Sequence, residues 1–187
     1  MYGVWDGRLY KGSLPTSASD DWLTAATLIG FGGWDAYQFL FFHPNGLLYG
    51  VQKGKLYRGA PPTHHLTNWI QSTALEVGSG GWDEFEFLFF DPHGILHGVH
   101  NDKYRKGNPP TDKRVNWIVD SQLIGTAGWS GFQHLFFMAD GQLYGVHGGK
   151  LYRDPPPTVP YEDWLSEADV IGSGGWSIFK FLVAPLK

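Results

Sequence analysis

Apolar positions fall in short runs that glycine, proline and polar pairs interrupt. Glu84 to Phe90 is nearly continuously apolar, the pattern of a strand buried on both faces. Asp91-Pro92-His93-Gly94 then reads as a turn, with Pro at the second position and Gly at the fourth. Ile95 to His100 is the next strand, and Asn101-Asp102 turns the chain into a third, Lys103 to Lys106. Asn108-Pro109-Pro110 lacks the donors for a ladder and is a loop. Trp117 to Gly125 supplies either a fourth strand or a short helical turn leading into one, capped by Asp112 or Asn116. No segment keeps a 3.6-residue period over ten or more residues.

The same words recur along the chain. Trp22, Trp69, Trp117 and Trp164 each follow Asp or Asn and are spaced by 47, 48 and 47 residues. Trp34, Trp82, Trp129 and Trp176 each follow Gly, at spacings of 48, 47 and 47. Pro-Pro-Thr returns at 61–63, 109–111 and 156–158, with Leu14-Pro15-Thr16 as its variant. Gly-Val returns at 3–4, 50–51, 98–99 and 145–146. A unit of about 47 residues carrying four short strands, written four times, predicts an all-β fold: a β-propeller of four four-stranded blades. Residues 1–187 are read as one domain. The ends share its phase, because Tyr2-Gly3-Val4 matches Tyr49-Gly50-Val51 and Phe181 to Ala184 matches Phe39 to Phe42. The ring is therefore expected to close by pairing the N-terminal strands with the C-terminal strand, which removes two exposed edges.

Composition narrows the function. Lys and Arg total 14 against 18 Asp and Glu, a net charge of -4, so no basic surface invites nucleic acid or anionic membrane. The absence of cysteine removes disulfides, thiolate metal sites and thiol nucleophiles. No phosphate loop, serine elbow or zinc motif is present, and no cofactor, metal or enzymatic activity is expected. Glu84 and Glu86 share a strand face in the manner of a glycosidase pair. The other units place Ala36 and Gln38, Gly131 and Gln133, and Ile178 and Lys180 there, so a solvated edge is the better reading. His97 and His100 lie three apart on a strand and face opposite sides.

The ordered words Asn-Trp-(Leu/Ile), Ile-Gly-x-Gly-Gly-Trp, Phe-x-Phe-Leu-Phe-Phe, x-Pro-x-Gly, Leu-Tyr-Gly-Val and Lys-Leu-Tyr resemble the tachylectin-2 family over the whole chain. The resemblance implies a multivalent lectin for N-acetylglucosamine or N-acetylgalactosamine, with about one site per blade and a role in innate recognition of microbial surfaces. A known member has five blades where this sequence has four. By the same analogy the protein is secreted or stored in granules, although a cysteine-free chain suits the cytoplasm equally. Departures are local: Ala127 replaces a Gly, His134 a Phe, and Ser130 and Ser177 stand where Asp35 and Asp83 follow the tryptophan.

A pyranose needs a flat apolar surface for its C–H face and fixed polar groups for its hydroxyl rim. Gly33, Gly81, Gly128 and Gly175 allow the backbone to turn, and Trp34, Trp82, Trp129 and Trp176 offer the apolar surface. Asp35, Asp83, Ser130 and Ser177 offer polar rims, and Asp21, Asn68, Asn116 and Asp163 complete the pocket from the same or a neighbouring unit. Against this stands a packing role: repeated Trp fills the space between blades, the default for Trp22, Trp69, Trp117 and Trp164. The Gly-Trp series is open between the two roles until the resemblance assigns it to the ligand. The alternative function is a propeller scaffold that binds a protein on one face. The chain is expected to be a monomer or a small homo-oligomer without membrane insertion.

Overall fold

The computed structural model describes residues 1–179. Its strands are β1 (Tyr2–Trp5), β2 (Arg8–Lys11), β3 (Thr27–Gly30), β4 (Phe39–Phe42), β5 (Leu48–Gln52), β6 (Lys55–Gly59), β7 (Leu75–Gly78) and β8 (Phe85–Phe90). They continue as β9 (Leu96–His100), β10 (Lys103–Gly107), β11 (Gln122–Gly125), β12 (His134–Phe137), β13 (Leu143–His147), β14 (Lys150–Asp154) and β15 (Asp169–Gly172). Three sheets run in simple sequence order, β4-β5-β6-β7, β8-β9-β10-β11 and β12-β13-β14-β15, and β1-β2-β3 forms a three-stranded sheet. The strand matching Phe39 to Phe42 at the chain's end, and the ring closure that depends on it, lie outside the described residues. The contacts define two compact units with two sheets apiece: Met1–Leu40 with Gly46–Asp83, and Phe41–Asn45 with Glu84 onward.

Turn chemistry fixes each blade. The second and third strands meet through two residues, as the pairs Trp5↔Arg8, Gln52↔Lys55, His100↔Lys103 and His147↔Lys150 show. Both turn residues have positive φ, as in Lys53 (51°) and Gly54 (72°), which is the type I′ geometry that follows the twist of the strands. Asn101 and Asp102 occupy it without a glycine, at φ 50° and 63°.

The Trp117 to Gly125 stretch resolves into both of the expected options in series. A helical turn, α3 (Trp117–Asp120), precedes β11, and Asn116 is its cap, accepting from Val119 N–H at 3.4 Å. Its counterparts are α1 (Trp22–Ala25), α2 (Trp69–Ser72) and α4 (Trp164–Glu167), capped by Asp21, Asn68 and Asp163. The indoles of this series donate to the carbonyl nine residues earlier: Trp22 to Ser13, Trp69 to Ala60, Trp117 to Asn108 and Trp164 to Pro155, at 2.7–2.9 Å. Each proline-rich loop is thus pinned to its helical turn.

Two expectations for the segment Glu84 to Phe90 are corrected. Glu84 belongs to a 3-10 helix, Trp82–Glu84, and not to the strand, because the chain is still turning after the glycine pair. β8 is buried mainly on one face: Leu88 and Phe90 are buried, Phe87 and Phe89 half-buried and Glu86 exposed. In the second unit the core runs between the two sheets, where Val99, Tyr104 and Ile124 meet Trp129, Phe132, Leu135, Phe137, Leu143 and Trp164. A Trp buried in this way removes ~150–250 Å² from water, roughly 4–6 kcal/mol before ordering costs.

Candidate functional site

The Gly-Trp loops begin at glycines that no other residue can replace easily. β3, β7, β11 and β15 end on Gly30, Gly78, Gly125 and Gly172, where a Cβ would overlap the indole of Trp34, Trp82, Trp129 and Trp176 respectively. The glycine directly before each Trp is a different case: Gly33, Gly81, Gly128 and Gly175 have φ of 77°, 77°, 88° and 82°, with open space where a Cβ would stand. The preceding position has open space and no positive φ at Gly32, Gly80 and Gly174, which explains how the third unit accommodates Ala127.

The tryptophans that follow are largely buried. Trp34, Trp82 and Trp129 are each 4% exposed, and Trp176 is half-buried. Trp34 stacks on Tyr37 at 5.3 Å and lies 5.9 Å from Trp69, which in turn sits edge-on to Tyr37 at 6.0 Å. Trp129, Phe132 and Trp164 repeat that triangle at 5.5, 5.9 and 5.8 Å. Both tryptophan series therefore meet in one aromatic cluster, which brings a Gly-Trp loop together with the Asn/Asp-Trp loop of the next repeat.

Each triangle lines a cavity. In the first unit it measures about 380 Å³ and is lined by Phe31 to Trp34, Tyr37, Gln52 and His65 to Ile70. In the second unit it measures about 360 Å³, between Thr126 to Trp129 with Phe132 on one side and Pro160 to Leu165 opposite. Every residue lining the second cavity lies 95 positions after a counterpart lining the first. One backbone bond clasps each: Phe31 N–H donates to His65 O at 3.2 Å, and Thr126 N–H to Pro160 O at 3.1 Å. Volumes of this size lie in the ~300–1,000 Å³ range of small-molecule sites.

The sequence-predicted residues divide between the two walls and a position beside the hairpin turns. Gly33, Trp34, Asn68, Gly128, Trp129 and Asp163 line the cavities. Asp35 and Ser130 are not among the lining residues. Asp35 lies against Gly7 and Asp83 against Gly54, both at type I′ turns, and Ser177 lies against Gly149. The third repeat reverses the pairing: Asp102, in the turn, accepts from Gly128 N–H at 2.8 Å and Ser130 N–H at 2.7 Å. Those two amides hold the Asp102 carboxyl below its ordinary value.

Lining residues that sequence reasoning missed are Phe31, Tyr37, His65, Leu66, Thr67 and Ile70, with Tyr161 and Glu162 in the second unit. Phe31 is 59% exposed with the Arg8 guanidinium 5.4 Å from its ring centre, and Leu66 is 76% exposed. These are apolar surfaces that a ligand can reach. Burial, by contrast, pushes the Tyr37 phenol up, so it stays protonated.

Other clusters are elsewhere. His97 is 1% exposed, its Nδ1 2.7 Å from the Tyr104 hydroxyl, and His100 lies 3.3 Å from Glu84. Among the described residues no group of three His, Cys, Asp or Glu is arranged to hold a metal. Among them, too, no helix is long and apolar enough to cross a membrane.

Comparison with known proteins bears on the fold and the family. A solved structure from work described as "The de novo evolutionary emergence of a symmetrical protein is shaped by folding constraints" superimposes with a TM-score of 0.91 at 43% identity, covering 95% of this chain and 76% of that one. The likeness, with the four antiparallel sheets, gives the fold class as a four-bladed β-propeller. The Tachylectin family model matches residues 1–180, and the chain belongs to the Tachylectin family, a family of lectins.

Proposed function

We propose that the protein is a multivalent lectin for N-acetylglucosamine or N-acetylgalactosamine, with about one site per blade. The observation that carries this reading is the recurrence of one cavity at an offset of 95 residues, lined by an aromatic triangle and by polar groups. Asn68 Oδ1 accepts from Gln71 N–H, and its amide N–H₂ adds a donor suited to an acetamido carbonyl. Phe31 and Leu66 suit the apolar face of the ring or the acetamido methyl. A monosaccharide covers little apolar area, so each site is weak, roughly millimolar to micromolar. Function comes from avidity on surfaces carrying many copies of the sugar, in a secreted or granule-stored protein acting as one propeller domain.

Isothermal titration calorimetry with N-acetylglucosamine, and glucose as control, tests the reading. Saturable heat with the acetylated sugar and none with glucose is expected. No heat with either N-acetyl hexosamine would overturn it and leave a scaffold for a protein partner.

A further inference from the structure

The two cavities share a backbone but not a rim. Thr67 and Asn68 in the first unit become Glu162 and Asp163 in the second, at the same offset of 95. The acids do not create the site, since the same cavity stands in the first unit with neutral residues; they change what it can recognise. Glu162 Oε2 accepts from Thr158 N–H at 3.1 Å, and Asp163 Oδ1 accepts from Ser166 N–H at 3.3 Å. Each carboxylate thus spends one oxygen on its own loop and keeps charge and lone pairs for a ligand. Asn68 presents a donor as well as an acceptor, whereas Asp163 presents acceptors only. His65, a ring with a donor and an acceptor, is replaced by Pro160, which has neither on its side chain.

An N-acetyl hexosamine brings a neutral amide whose carbonyl needs a donor. The same sugar without its acetyl group brings an ammonium, which needs acceptors and negative charge and has no methyl to bury. Resting on the lectin reading above, we propose that the cavity between Thr126 and Leu165 is selective for hexosamines with a free amine, as on deacetylated glycans. Glu162 and Asp163 are the residues that set this selectivity. The cavity between Phe31 and Ile70 keeps the acetylated form. One chain then reads two acetylation states of the same sugar class with one backbone design.

Titration at pH 6, where the sugar's free amine is charged, separates the two sites by backbone NMR. The amides of Gly33 and Gly128 report the first and second cavities. Glucosamine is expected to shift Gly128 with at least about fivefold higher affinity than Gly33, N-acetylglucosamine in the reverse order, with the glucosamine response weakened by salt. The double variant Glu162→Thr, Asp163→Asn copies the first unit's own residues, so its fold is supported by the protein itself; it should lose the glucosamine preference by about the same factor. Asp163→Asn alone keeps the loop contact of Glu162 and should lose part of it. Equal affinity of glucosamine for both cavities, or a preference that survives the double variant, overturns the inference while leaving the lectin reading intact. No shift with either sugar overturns both.

Discussion

Gly125→Ala probes how the Gly-Trp loop is built. A Cβ on Gly125 would overlap the Trp129 indole, which cannot retreat: Tyr104 lies 4.3 Å, Phe132 5.5 Å and Trp164 5.9 Å from it, centre to centre. Overpacking of this kind costs about 1–3 kcal/mol, and a rigid ring wedged among three others puts the cost near the upper end. For a chain of 187 residues each kcal/mol lowers the melting temperature by roughly 2–4 °C, so a fall of about 6–12 °C is expected. Thermal unfolding followed by circular dichroism reads it. Two comparisons isolate the cause. Gly128→Ala meets open space but forces φ of 88° on an L residue, at about 1–2 kcal/mol. Ala127→Gly relaxes only the unfolded chain, at about 0.4–1 kcal/mol. If Gly125→Ala melted within about 1 °C of the parent, the packing account of the glycine would be wrong.

Three further outcomes follow from particular contacts. Burial lowers the His97 pKa below 6.5, with Lys106 acting in the same direction and Asp91 opposing, so the folded protein binds its proton less readily than the unfolded chain. Stability is therefore full above pH ~6.5 and declines as pH falls below it; the double variant His97→Tyr, Tyr104→Leu, which copies the second and fourth repeats, should show a shallower decline in melting temperature from pH 7 to 5. Asp102→Gly should lower the melting temperature by losing two amide bonds, and adding Ser130→Asp should restore it by rebuilding the Gly7–Asp35 arrangement; failure of the second change to rescue would contradict the exchange. The proposal that the chain is one domain predicts a single unfolding transition by calorimetry, and two resolved transitions would separate its units.

Repetition made the blades readable. Identical turn and strand words at a fixed period revealed the strands, the hairpin turns and the four-blade count, because those positions face the same neighbours in every repeat; they left the cap open between Asp112 and Asn116. The ligand-facing rim was hidden for the same reason. Phe31, Leu66 and Tyr161 sit at positions where the units differ, so a search for recurrence passes over them. Asp35 and Asp83 recur beside a tryptophan and read as rim groups, yet the 3-10 turn after each glycine carries them towards the hairpin. Only the backbone path, which a single positive φ redirects, distinguishes Trp34 on the cavity wall from Asp35, the next residue of the same loop. Glu84 was misplaced by the same turn.

A crystal structure of the protein soaked with N-acetylglucosamine tests the central claim most directly. The lectin account predicts the sugar in the cavity between Phe31 and Ile70, its acetamido carbonyl within hydrogen-bond distance of the Asn68 amide and its apolar face on Phe31 or Leu66. A cavity left empty at saturating sugar, or sugar bound only at sites away from the aromatic triangles, would contradict it.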